Sequence, residues 1–162
     1  MNADYLQQFC FDTDDVRHHI RKPWSRGDRT YATNGHILVH VPRLADVAEN
    51  DRAPQAVSNL LERAKTGTWL PVPVTTMPPY IPCTWCDGSG KDPSDRRYRC
   101  DECGGKKSEP DYRTGTIIGP AKFANRYLAL IQGWKIAPTD KSSAAKIKFV
   151  DAEGLLMPMR ME

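Results

Sequence analysis

Apolar positions along the chain change their spacing several times, and each change marks an element. Over residues 3–10 (ADYLQQFC), Tyr5, Leu6 and Phe9 recur near helical spacing, which predicts a short helix. The stretch TYATNGHILVHVP alternates from Ile37 to Val41 and stops at Pro42, so it reads as a strand entered through an Asn-Gly turn. Residues 53–65 place Ala56, Leu60 and Leu61 on one face of a helix, with Gly67 as its stop. From 66 to 82 repeated prolines predict an extended connection, and RTGTIIG further on reads as a short strand. Over 120–132 (PAKFANRYLALIQ) the pattern predicts the longest clear helix. Pro120 suits its first turn, Phe123, Tyr127, Leu130 and Ile131 line one face, and Gly133 ends it. AKIKFV alternates strictly, Glu153-Gly154 reads as a turn, and LLMPMRM closes the chain as a strand. The fold class is therefore α+β, an antiparallel sheet with two good helices, and no repeat of fixed period is visible.

The chain has 162 residues and a net charge of +3, enough for one ordinary domain with a small appendage. No apolar run approaches the roughly 18 residues that span a membrane, so no membrane partner is expected. The start MNADYLQQFCF lacks a basic segment followed by an apolar one, which predicts a cytoplasmic, reducing setting. The mild positive charge is compatible with nucleic acid and does not demand it.

Four of the five cysteines fall in IPCTWCDGSGKDPSDRRYRCDECGGKK, as Cys83-x2-Cys86 and Cys100-x2-Cys103. In a reducing compartment such pairs bind metal more often than they form disulfides. Four thiolates suit tetrahedral Zn2+, and an iron–sulfur or redox role is the alternative. Gly88, Gly90, Gly104 and Gly105 follow the second cysteine of each pair, where the backbone must turn so that N–H groups can face sulfur. Four cysteines leave no open coordination position, so the expected role is structural. CTWCDGSG is similar to the Cys-x2-Cys-x-Gly-x-Gly repeat of J-protein chaperones, from which CDECGGKK departs at Lys107. No J domain accompanies it. Cys10 lies in an apolar setting and reads as a core residue.

On either side of this box the sequence resembles the bacterial DNA polymerase sliding clamp. Tyr31, Ala32, Thr33, Asn34, Gly35, His36 and Leu38 stand in the clamp pattern ATDGHRLA, with Asn34 for its Asp and Ile37 for its Arg. FANRYLALI resembles a clamp helix carrying Asn and then Tyr-Leu, and LLMPMRME resembles the C-terminal Met-Pro-Met-Arg-Leu strand. The resemblance implies one clamp-like domain from 1–50 and 111–162. A helix and Pro-rich connection then occupy 51–82, and a zinc-binding insertion 83–107. Residues near 30–42 and 114–161 are expected in one sheet, with the 120–132 helix against it. A bacterial clamp chain carries three such domains, so a ring built from this chain would need homo-oligomers. The reduced size suggests a phage or prophage protein.

No catalytic constellation stands out, so an enzyme is not expected. His18 and His19 sit in a charged run, and His36 occupies the turn of the clamp-like motif. Asp12, Asp14 and Asp15 lack the ligand spacing of a calcium loop. Neither phosphate-binding glycine motif is present. The candidate contacts to double-stranded DNA are Arg17, Arg21, Lys22, Arg26 and Arg29, with Lys122 and Arg126 four apart on the expected helix. Around the cysteines, basic and acidic residues nearly balance, which argues against a nucleic-acid finger. The expected function is non-enzymatic: sequence-independent DNA association, or tethering of a replication protein, in replication or repair. The alternative is a zinc-stabilised protein-interaction module, including a mimic or modulator of a host sliding clamp, with Trp85 as its grip and no DNA role.

Overall fold

The computed structural model describes residues 1–11, 20–50 and 55–160. The first helix, α1 (Ala3–Gln7), starts at Asn2, whose side chain accepts the Tyr5 N–H at 2.9 Å and satisfies one of the exposed donors of the first turn. It turns Leu6 inward, Phe9 follows in the turn just after it, and both are fully buried. Three antiparallel strands follow: β1 (Trp24–Arg26), β2 (Arg29–Thr33) and β3 (Ile37–Pro42). The Asn-Gly turn between β2 and β3 is as expected. Gly35 takes a φ of 90°, and Asn34 Oδ1 accepts the N–H groups of His36 and Ile37 at 3.0 and 3.1 Å.

After β3 the chain leaves the sheet through α2 (Gln55–Arg63). It touches the far edge of the sheet as β4 (Leu70–Pro71), then makes a ribbon of β5 (Tyr80–Pro82) and β6 (Ser108–Pro110). A separate hairpin, β7 (Gly115–Ile118) with β8 (Ala121–Ala124), leads into α3 (Asn125–Leu128), which tightens into a 3-10 turn over Ala129–Ile131. A second meander closes the chain: β9 (Lys135–Ala137), β10 (Ala145–Phe149) and β11 (Ala152–Leu156). The main sheet has the order β1-β2-β3-β11-β10-β9-β4. A short helix followed by a three-stranded meander thus occurs twice, and the final strands of the two units pair with each other. The sequence carries no visible trace of this repetition.

Alternation decides which residues face which layer. Ile37, Val39 and Val41 of β3, Ala145 and Ile147 of β10, and Leu156 of β11 join Leu6, Phe9, Phe123, Leu128 and Ile131 in the main core. Leu38 and Leu155 face the other way and meet Trp24, Tyr31 and the inner side of α2. The rings of Trp24 and Tyr31 stack there at 4.6 Å.

Several expectations need correction. The stretch 120–132 is not one helix. Gly119 reverses the chain at φ 59°, Phe123 pairs with Thr116 in β8, and only then does α3 begin. Ala121 and Phe123 are buried with Lys122 between them more exposed, a period of two that the helical spacing of Phe123 and Tyr127 conceals. Because β7 and β8 form their own hairpin, the main sheet takes only 135–156 from the expected 114–161. The last turn lies at Val150-Asp151, not at Glu153-Gly154, both of which belong to β11. Gly154 serves a close approach instead: a Cβ there would sit 2.1 Å from the Leu38 carbonyl oxygen. Val57 and Leu61 of α2, with Ala64 just beyond it, pack on the sheet while Leu60 is exposed; the side chain of Ala56 is outside the described residues. The helix ends at Arg63, and Gly67 is needed where the backbone meets Pro138, since a Cβ would lie 2.0 Å from its carbonyl oxygen.

Two substitutions test this packing. Leu128 is fully buried, so Leu128→Ala is expected to cost about 2–5 kcal/mol in denaturant unfolding. Val150 is 91% exposed yet holds a φ of 49°, a conformation its branched side chain disfavours. Val150→Asn is therefore expected to raise stability by about 1 kcal/mol in the same measurement.

Candidate metal centre

The ribbon β5–β6 carries the cysteine box at its tip, with Pro82 opposite Ser108 at the base. Each Cys-x2-Cys segment folds into the same knuckle. Gly88 N–H donates to the Cys83 carbonyl at 3.1 Å and Ser89 N–H to that of Cys86 at 2.9 Å. In the second knuckle Gly105 N–H donates to Cys100 at 3.2 Å and Lys106 N–H to Cys103 at 3.0 Å. The two are then cross-linked symmetrically, Cys83 N–H to the Lys107 carbonyl at 3.0 Å and Cys100 N–H to the Gly90 carbonyl at 3.1 Å.

This geometry requires positive φ at three matched positions: Asp87, Gly88 and Gly90 in one knuckle, Gly104, Gly105 and Lys107 in the other. Gly90 has no substitute, because a Cβ would meet the Gly105 carbonyl oxygen at 2.8 Å. Lys107, at the matching place, holds the left-handed conformation at φ 68° despite its side chain. The departure from the glycine pattern at this residue thus leaves the knuckle intact, at a local cost of about 1 kcal/mol.

The four sulfurs converge. They all lie within 4.8 Å of one another and are buried, with Cys83–Cys100 at 3.8 Å and Cys86–Cys103 at 3.9 Å. A tetrahedral ion with metal–sulfur bonds of about 2.3 Å has sulfur–sulfur edges of about 3.8 Å. Cysteines bonded to each other would stand near 2.0 Å instead. The donor set therefore fits a single tetrahedral metal ion with all positions filled by the protein. Gly90 N–H donates to Cys86 Sγ at 3.2 Å, the kind of bond that stabilises a thiolate ligand. Among the protein's own groups, burial pushes the Cys83 thiol up to about 12, against the Cys86 and Trp85 N–H groups. Burial also opposes ionisation of Cys86, but there the Gly90 N–H and hydrogen bonds from the other three thiols draw it down to about 7. An incoming cation must displace protons from the rest, so binding weakens as pH falls.

Of the candidate DNA contacts, Arg26 and Arg29 are paired across β1 and β2, and the other described ones lie apart from them. Arg17 lies outside the described residues, as do His18, His19, Asp12, Asp14 and Asp15. Arg21 and Lys22 precede β1, with the Arg21 carbonyl accepting from Gln7 Nε2 at 2.9 Å. Arg26 is half-buried in β1. Arg29 is on the α2 side of the sheet, beside Asp28 and in a cleft of about 690 Å³ that also includes His40, Trp69 and Lys146. Lys122 is in a strand and Arg126 in a helix, so they share no helix face. Arg126 instead lies over the Tyr127 ring at 4.8 Å, in the crevice between α3 and the metal ribbon.

Two other histidines have structural settings. The His36 ring stacks on Tyr127 at 6.1 Å. His40 is buried 3.8 Å from Glu153, and burial, reinforced by Arg29, lowers its pKa. Cys10 is buried and its thiol is pushed up to about 12, chiefly by burial, so it is a core residue as expected. Trp85 is 57% exposed beside the clustered cysteines. Glu102, Glu109 and Tyr112, which sequence reasoning passed over, share the Arg126 crevice with it. Only their assembly by the ribbon makes them a group.

One tightly bound metal ion per chain is expected by native mass spectrometry and elemental analysis. Cys100→Ser should abolish it and remove amide-exchange protection over 83–107 while leaving the main sheet protected. Acidification should release the ion to a chromogenic chelator, because protons compete for the thiolates. No protein-family model matches the chain, and no curated protein matches it.

Proposed function

We propose that this chain is a non-enzymatic, clamp-related scaffold of DNA replication or repair that tethers a replication protein, using a Zn2+-held arm as its grip. One observation carries the clamp-related part. The three stretches that resemble the sliding clamp are far apart in sequence but meet at one place. ATNGHILV forms the β2–β3 turn and strand; of FANRYLALI, Phe123 and Ala124 end β8 while the rest forms α3 and its 3-10 turn; of LLMPMRME, Leu155 and Leu156 end β11 and 157–160 follow as a tail rather than a strand. The His36 carbonyl accepts the Met157 N–H at 2.9 Å, and the His36 ring stacks on Tyr127. Their convergence supports reading them as parts of one site. The identity of the ion as zinc rests on the donor set, since four thiolates at tetrahedral spacing suit it.

Tethering is favoured over encirclement by the edges of the sheet. A ring assembled through sheet edges needs free edge strands. The outer edge of β1 is covered by residues 48–50, through Ser25 N–H to the Ala48 carbonyl at 2.9 Å and Asn50 N–H to the Ser25 carbonyl at 3.0 Å. At the other end β4 covers β9, and Pro71 removes a donor from its outward side. Apart from the Arg26–Arg29 pair, the described basic candidates lie on separate elements, which also weighs against a DNA-tracking surface.

The deciding experiment compares the wild-type chain with Cys100→Ser. The wild type is expected to behave as a monomer in light scattering and to recover a protein partner that survives nuclease treatment, while Cys100→Ser loses it. Anisotropy titration with random duplex DNA is expected to show no steep salt dependence. A log–log slope of several units, at about −0.9 per phosphate neutralised, together with nuclease-sensitive recovery, would replace tethering with DNA association. Equal recovery by both variants would remove the arm from the interaction.

A further inference from the structure

The metal ribbon folds back toward the body and leaves two cavities along the seam, of about 280 and 310 Å³. Both include Glu102, Glu109 and Arg126, so they are two parts of one groove. One end is lined by Trp85 and Tyr112 of the arm. The other is lined by Met77 and Tyr80 of the Pro-rich connection, against Phe11 and Tyr127 of the body. Met77, Tyr80, Trp85 and Tyr112 are 44, 66, 57 and 40% exposed, and they concentrate apolar surface along this seam.

The charge between the two ends is acidic. Two carboxylates face one guanidinium, and that guanidinium already lies over the Tyr127 ring with its Nε buried and without an acceptor. Glu109 is fixed in place, since the Thr84 N–H and hydroxyl both donate to its Oε1 at 3.0 and 3.1 Å. From Tyr80 to Arg113 the seven basic and seven acidic side chains cancel. A divalent ion in four thiolates then leaves the arm net negative. A carboxylate pair beside exposed aromatic faces is chemistry for a cation flanked by apolar side chains, through ion pairing and cation–π contact.

We infer that this groove is the tethering site, and that its occupant is a partner-protein segment bearing a Lys or Arg next to an aromatic or aliphatic anchor. The inference rests on the tethering reading above and adds to it where the partner sits and what chemistry it brings. Glu102 lies between two metal ligands, so one wall of the groove exists only while the knuckles are folded. Occupancy of the groove is accordingly metal-dependent.

The test uses the full, metal-loaded chain and a random-peptide display library as the probe. Selected peptides are synthesised and titrated by anisotropy against the wild type and three variants, Trp85→Ala, Glu102→Lys and Tyr112→Ala, with metal content measured for each. Enriched peptides are expected to carry a basic residue close to an apolar one. Each variant that retains metal should weaken binding by about tenfold. Tyr112 lies outside the knuckles and keeps the test valid if the other two lose metal. Lys148→Ala, on the opposite side of the sheet, should bind as the wild type does. Enriched acidic peptides would overturn the charge assignment. Binding unchanged in all metal-retaining groove variants would overturn the site while leaving tethering to another surface. No enrichment over Cys100→Ser would overturn the groove altogether, and tethering itself would then stand or fall on partner recovery.

Discussion

The fold depends on the pairing of β3 with β11. The two strands lie more than a hundred positions apart in sequence, yet Leu38 stands opposite Leu155 and Val39 opposite Gly154 in the middle of the sheet. Each strand ends one helix-plus-meander unit, so this single ladder joins the halves. It also sets the two faces: Ile37, Val39 and Leu156 point to the main core, Leu38 and Leu155 to the layer beneath α2. The joint tolerates no side chain at Gly154, because the Leu38 carbonyl occupies that space. A one-residue slip would move every apolar side chain of β11 to the wrong layer.

The metal knuckles follow a different logic. Their backbone-to-backbone hydrogen bonds are local or run from one knuckle to the other, Thr84 ties the first to Glu109 of β6, and the four sulfurs form a cluster of their own, separate from both apolar cores. A segment so rich in glycine and charge has no apolar core with which to fold, and an ion held by its four cysteines would supply the missing energy. Among the described residues, the arm meets the body along the seam around Arg126. Two units stabilised by unrelated physics thus meet along the surface that holds the most exposed aromatic side chains.

How much of this was legible in the sequence varies with how local the cause is. The four clustered cysteines were readable because metal-coordination chemistry favours this spacing within each pair. β3 and β10 were readable because their alternation is carried by consecutive residues. The 120–132 stretch misled because Phe123 in a strand and Tyr127 in a helix face one core, and together they mimic a helical stripe. The final turn misled because Gly154 looks like a turn residue but serves close packing, whereas Val150 takes the left-handed turn conformation with no local signal. The groove was not legible at all. It draws on five separated segments, and nothing in any one of them announces the others.

The base of the arm has a further consequence for folding. Because Pro82 and Ser108 are paired neighbours, a folded arm contributes almost no length to the excursion that β3 and β11 must close. Closure entropy, however, grows only with the logarithm of loop length. Removing residues 83–107 from a loop of roughly a hundred residues changes it by about 0.2 kcal/mol. An ion held there would therefore give the body almost no help in finding its central pairing, and whatever free energy it contributed would stay in the shape of the arm.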